Sequence, residues 1–249
     1  MRLVMGFCVA LLIASSAALG AECTASSRQT RVPLLELYTS EGCDSCPPAD
    51  RWVSELRARG STGNKLVVLA FHVDYWDKLG WIDAYAQPRF SERQHLLNSR
   101  IGSRVVFTPQ FVLNGTDYRR ASRDDFLARV AAFDREPARA AIRLALKPAQ
   151  DGLLVTGVWS AQDAGSAQGW LALYENQLST DVLAGENRNK RLRHDFVVRD
   201  IAGPFPAGTL SHSFSIDSRW KRRDLAVAAF VQDARSADVL QALTLGVCS

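Results

Sequence analysis

"VPLLELYTSEGCDSCPPAD", residues Val32 to Asp50, is the stretch on which the reading of this chain turns. It opens as a mostly apolar run, Val32 to Ser40, of strand length. Two cysteines follow, Cys43 and Cys46, two residues apart, with Pro47 and Pro48 directly behind them. Ala49, Trp52, Val53 and Leu56 then recur at i, i+3, i+4 and i+7, which is one apolar face of a helix. Prolines are tolerated in a first helical turn, where the amide donors would have no partner anyway, and Gly60 is a stop signal. The cysteine pair is thus expected at the start of a helix. There the partial positive charge of the helix terminus favours a thiolate, the reactive form of cysteine.

Working outward, "KLVVLAFHVDY" (Lys65 to Tyr75) begins as a continuous apolar run, the pattern of a strand covered on both faces. Strand, helix, strand predicts a right-handed parallel unit. Trp76 to Phe90 is irregular and aromatic, and Ser91 with Gln94 three residues on predicts a capped helix start. "FTPQFVLNGTDYRRA" reads as a hairpin about Asn114-Gly115. Asn114-Gly115-Thr116 also matches a glycosylation acceptor, but the turn is the preferred reading. Ser122 to Phe133 is a further helix. Beyond Asp134 to Arg139 helical periodicity fades. Short apolar or alternating runs, among them "GLLVTGVW", "GWLALYE" and "LAVAAFVQD", are separated by turn residues, which predicts an antiparallel sandwich. The boundary is placed near Pro137, giving units at 22–137 and 138–249.

The 249 residues are 47% apolar and carry a formal charge of only +4, which argues against a nucleic-acid footprint. The densest basic stretches, Arg188 to His194 and Lys221 to Arg223, read as solvated faces. Residues 1–21 have the short apolar run and small-residue end of a secretory signal, so a periplasmic or secreted protein is expected, with no stable membrane insertion once the leader is gone. Cys8 leaves with the leader. Cys23, Cys43, Cys46 and Cys248 remain, and three pairings are open to them. Chain termini often lie close together, so Cys23 is expected to pair with Cys248 and Cys43 with Cys46.

A lone C-x-x-C has three readings: half of a zinc site, a structural crosslink, or a redox pair. A zinc site normally needs a second pair of ligands; there is no second C-x-x-C, and His72, His95, His194 and His212 are scattered. The redox reading gains from position. Cys43 would attack a partner disulfide and Cys46 would resolve the mixed species, with no cofactor and with protein or small-molecule thiols and disulfides as partners.

The order strand, C-x-x-C, helix, strand, helix, Thr108-Pro109, hairpin and helix resembles a thioredoxin-like α/β domain, here followed by an antiparallel all-β sandwich-like domain. "LELYTSEGCDSCPPAD", "AFHVDYWDKLGW", "FTPQFVLNG" and "LYENQLSTDVLAGENRNKRLRHDFVVRDI" resemble the signature blocks of an exported bacterial family of unknown function within that superfamily. The resemblance implies that Pro109 is cis and faces the dithiol, with Thr108 beside it at the substrate, and that Glu36 relays protons to the resolving cysteine. Trp76, Trp81 and Tyr85 read either as a wall of the substrate groove or as packed aromatics. Asp44, between the cysteines, opposes a thiolate at Cys43, which points to a moderate or reducing potential. His72 and Asp74 share a strand face and are read as a hydrogen-bonding pair. The competing readings are a Cu(I)-binding thiol protein and a non-catalytic binding or assembly module.

Overall fold

The structure is a computed structural model and describes residues 22–119, 122–162 and 165–248; the leader expected at 1–21 lies outside them. No helix among the described residues is long and apolar enough to cross a membrane.

The first half builds a strand β1 (Cys23–Ser26), then β2 (Leu34–Thr39), helix α1 (Pro47–Ala58) and β3 (Val67–His72). A 3-10 turn (Asp74–Leu79), α2 (Pro88–Arg100), the hairpin β4 (Gln110–Leu113) and β5 (Thr116–Asp117), and α3 (Arg123–Phe133) follow. Every residue of β2 and β3 is buried, as the apolar runs predict, and the two strands pair in parallel. In α1, Trp52 packs edge-on against Phe111 and Phe126. Asn114 and Gly115 both take positive φ in the β4–β5 turn, and a Cβ on Gly115 would stand 2.1 Å from the Ala237 carbonyl oxygen. Only glycine fits there. Asn114 is itself buried and donates to Asp238 and to the Val239 carbonyl, so the turn is its role.

The second half contributes β6 (Ala140–Ala149), β7 (Gly152–Ala161), β8 (Ala167–Glu175), β9 (Leu178–Asp181), β10 (Arg191–His194), β11 (Val197–Phe205), β12 (Gly208–Ser215), β13 (Leu225–Asp233) and β14 (Val239–Gly246). These strands do not form a sandwich of their own. One eight-stranded mixed sheet runs β14-β13-β8-β11-β3-β2-β4-β5 through both halves, and a four-stranded antiparallel sheet runs β1-β6-β7-β12. The halves are sewn together where β11 meets β3, in a short parallel pairing of Val197 with Ala70. At the other end β1 leaves the first half to pair with β6.

The expected α/β thioredoxin-like domain followed by a separate antiparallel sandwich is therefore corrected. Among the described residues strand outweighs helix about two to one, and the strands form shared sheets. The physical reason lies in burial. On β13, Ala226, Ala228 and Phe230 enter the core under the helices, whereas Val227, Ala229 and Val231 enter the core between the sheets. On β8, Ala172 and Tyr174 go one way and Leu171 and Leu173 the other. A strand buried on both faces belongs to the middle of a layered structure, not to one wall of an independent sandwich.

The termini are joined by a Cys23–Cys248 disulfide, with sulfurs 2.06 Å apart, as expected from the sequence.

Candidate functional site

The chain turns sharply between β2 and α1. The Cys43 amide donates to the Ser40 carbonyl, and the Cys46 amide to the Cys43 carbonyl. Cys46 is the N-cap residue of α1, its carbonyl accepting from the amides of Ala49 and Asp50. Cys43 and Cys46 form the second disulfide. Both residues are 0% exposed, although Asp44 and Ser45 between them are exposed. In chain-entropy terms a crosslink between residues this close contributes about 2 kcal/mol, against about 5 kcal/mol for one joining the ends of the described chain. As a staple, the Cys43–Cys46 bond is the weaker of the two.

Thr108-Pro109 is a cis peptide. Pro109 lines a surface cavity of about 290 Å³ together with Ser45, Pro48, Ala49, Phe107 and Phe111, beside the cysteine turn. The Trp76 indole donates to Thr108 Oγ1 at 2.8 Å, and a Cβ on Gly42 would lie 3.2 Å from Trp76 Cβ. Cys43, Cys46, Trp76, Thr108 and Pro109 are thus brought into one neighbourhood.

Glu36 is not part of it. Strand residues alternate between faces, and Thr39 directs its hydroxyl to Asp50 on α1, 3.2 Å away. Glu36 is on the other face. There Arg93 of α2 holds it with two bonds, 2.8 and 3.0 Å, and the Tyr38 hydroxyl donates to it at 2.9 Å. The carboxylate expected to relay protons is thus engaged by Arg93 and Tyr38. His72 pairs with Asp83, at 2.7 Å, and not with Asp74, which accepts from Ser91.

Behind the disulfide lies a buried titratable cluster that the sequence did not signal as a unit. Glu41, Asp50, His72, Asp83 and His194 are each 3% exposed or less. Glu41 precedes the dithiol by two residues; its Oε2 accepts from the Trp81 indole at 2.9 Å, and its Oε1 lies 3.2 Å from His194 Nε2. His194 Nδ1 lies 3.8 Å from Asp50 Oδ2. The His72 and His194 rings meet edge to face at 5.0 Å. Neither ring nitrogen of His194, nor His72 Nε2, nor Glu41 Oε1 has a hydrogen-bond partner. Burial raises the Asp50 pKa, against the pull of His194 and His72. Burial works against a charged His72, but the Asp83 carboxylate more than offsets it and the His72 pKa stands above its usual value. His72 in turn holds Asp83 below the ordinary carboxylate range despite its burial. Among the described residues no three His, Cys, Asp or Glu side chains are disposed to hold a metal ion.

This arrangement can move protons. Asp50 lies one helical turn beyond Cys46, on the same side of α1. It also lines a cavity of about 110 Å³ with Pro47, Arg51, Arg191, Leu192 and Arg193. A carboxyl group with a raised pKa can take a proton from a nearby thiol and return it to water.

Asn187 and His194 come from the far half of the chain, and no local pattern marks them. The stretch Arg188 to His194, expected to be a solvated face, is solvated on one side only. Along β10, Arg191 and Arg193 are exposed while Leu192 and His194 are buried. For Asp50 a signal did exist: it follows Cys46 at helical spacing, inside a stretch already read as helix.

A search of curated proteins finds no match. A crystal structure of a protein from Agrobacterium tumefaciens is similar, with a TM-score of 0.64 and 26% identity over 88% of this chain and 96% of that one. The model of a family described as "Protein of unknown function (DUF1223)" matches residues 34–232, and the chain belongs to that family.

Proposed function

We propose that the protein is a thiol–disulfide oxidoreductase working through Cys43 and Cys46 in an oxidising compartment outside the cytoplasm. The observation that carries this reading is the position of a short-range disulfide at the start of α1, against buried groups able to exchange protons. A structural crosslink has no use for Asp50, whose burial costs stability. The compartment is inferred from the two disulfides, which persist where thiols are not kept reduced.

In the reduced protein the Cys43 thiolate attacks a partner disulfide RS–SR′, forming a Cys43–S–S–R bond and releasing R′S⁻. Cys46 passes its proton to the Asp50 carboxylate, and its sulfur attacks Cys43 Sγ, closing the Cys43–Cys46 bond and expelling RS⁻. One proton from Asp50 and one from water complete the two partner thiols. Pro109, Phe107 and Ser45 line the groove beside the pair, and Trp76 fixes Thr108 at its edge.

The test is insulin reduction by the protein with dithiothreitol as electron source. Turnover above the reductant alone, abolished in Cys43→Ser, is expected. No turnover from the wild type overturns the reading. The exposed Asp44 opposes the thiolate, so the measured potential should be well below the about −120 mV of the strongest oxidants. One observation favours a second reading, a purely structural crosslink: both cysteines are fully buried. The same assay separates the two.

A further inference from the structure

The burial of Cys43 and Cys46 is imposed partly from outside their own turn. Strands β9 and β10 form a two-stranded hairpin whose connection, residues 182–190, lies on the cysteine turn. Asn187, itself 0% exposed, donates from one amide group to the carbonyls of both Glu41 and Cys43, at 2.8 Å each. Lys190 holds the Asn187 side-chain oxygen at 2.8 Å, so the amide's orientation is fixed. Glu186 accepts from the Asp44 amide at 3.1 Å. Gly185 takes positive φ and packs its backbone on Trp81, where a Cβ would stand 3.1 Å from Trp81 Cβ.

The connection is also closed on itself. The Val182 amide donates to Lys190, Asn189 to Val182, Arg188 to Gly185 and Lys190 to Asn187. Such a segment can move as a body without unravelling, and its hold on the cysteine turn runs through a few side-chain contacts. At the seam three large apolar residues, Leu79, Ile82 and Leu183, are 50%, 76% and 72% exposed.

We propose that the connection between β9 and β10, residues 182–190, is a removable cap over the dithiol and that Asn187 is its latch; the strands themselves stay in place, held by His194 against Glu41 and by Thr180 against Tyr85. The inference rests on the redox reading for its purpose but not for its test. A partner disulfide can reach Cys43 only when the cap lifts, which breaks the two Asn187 bonds and the Glu186 bond and leaves the self-bonded connection intact. Asn187 touches no reacting atom; it is a positioning residue. The cap sets how often the sulfurs are accessible, and so the rate rather than the chemistry of exchange.

The experiment follows reduction of the intact, oxidised protein by a water-soluble phosphine, with alkylation and mass mapping to score each disulfide. Water supplies the oxygen of the phosphine oxide, and each disulfide becomes two thiols. In Asn187→Ala the Cys43–Cys46 bond should be reduced at least tenfold faster than in wild type, with the Cys23–Cys248 rate unchanged as internal control. Equal Cys43–Cys46 rates overturn the cap. Should Asn187→Ala fail to fold, wild type in urea below its unfolding transition gives the same information. Reduction that quickens with urea along a shallow slope marks partial opening. Reduction that follows the global unfolding slope overturns the proposal. Insulin turnover keeps the two readings apart: faster phosphine reduction without turnover leaves the cap standing and removes the oxidoreductase, and turnover with no change in Asn187→Ala does the reverse.

Discussion

His194 Nε2 stands 3.2 Å from Glu41 Oε1, two buried groups brought together from opposite halves of the chain. Removing one member leaves the polar atoms of the other buried without their neighbour, which typically costs about 1 to 3 kcal/mol. His194→Ala should therefore lower the urea midpoint strongly. Glu41→Gln combined with His194→Ala should cost less than the sum of the two single changes, because both remove the same contact. Strict additivity in the double-mutant cycle would show that the two groups do not interact.

The His72–Asp83 pair makes stability depend on pH. His72 is held above its usual value, so its contribution is complete below about pH 6.5 and is lost as pH rises through its higher folded value. Asp83 is held below its usual value, so its contribution is complete above about pH 3.9 and is lost as pH falls through its lower folded value. The pair should matter most between roughly pH 4 and 6.5. Urea midpoints of wild type and His72→Gln should differ most in that window and converge at alkaline pH. A constant difference up to pH 10 would show that the charge on His72 is not involved.

Asp50 behaves oppositely. Burial raises its pKa, so its ionised form opposes folding at neutral pH. Asp50→Asn keeps the shape, and its oxygen can still accept from Thr39. It should be more stable than wild type at pH 7, read as a higher urea midpoint, and the gain should shrink as pH falls and the wild-type carboxyl is protonated. In the reduced protein the same change should slow closure of the Cys43–Cys46 bond about a hundredfold at pH 7, the lower end of what a positioned acid–base group contributes. Stopped-flow exchange against a model disulfide reads that rate; an unchanged rate removes Asp50 from the proton path.

Glu36→Gln separates structure from chemistry on the other face of β2. It weakens the Arg93 clamp and should destabilise the fold by roughly 2 kcal/mol, yet leave the exchange rate at Cys43–Cys46 within twofold of wild type. A tenfold loss of rate at undiminished stability would return Glu36 to the mechanism.

The two disulfides should differ in weight. Cys23→Ser with Cys248→Ser removes the closure of the whole described chain, at about 5 kcal/mol, and Cys43→Ser with Cys46→Ser removes about 2 kcal/mol. Calorimetry of the two double variants gives the order directly. A larger loss at Cys43 and Cys46 would favour the purely structural reading.

What was legible in the sequence was local. The strand before the cysteines, the helix after them and the Asn114-Gly115 turn each follow from spacing within a dozen residues. The start of α2 was misplaced because Ser91 and Gln94 mimic a cap. Pro88 is in fact the first helical residue, and Gln94 donates inward to the Phe107 carbonyl and to Gln110. The sheet architecture was missed because "LAVAAFVQD" reads the same whether a strand is a sandwich wall or a central layer. Which of these it is depends on what packs against its second face. The relay role of Glu36 rests on a resemblance alone, whereas the alternation of β2 places its carboxylate against Arg93 and Tyr38. His194 and Asn187 carry no nearby mark, since their partners lie in the first half.

The junction of Ala70 with Val197 has a consequence for biogenesis. A nascent chain presents Cys23, Cys43 and Cys46 long before the ribosome has made Asn187, the joining strand or Cys248. Among the described residues three thiols are then uncovered at once, with the mate of Cys23 still unsynthesised, and the turn before α1 favours the short-range pair by proximity alone. Early closure of Cys43 with Cys46 withdraws both from competition and keeps Cys23 available until translation ends.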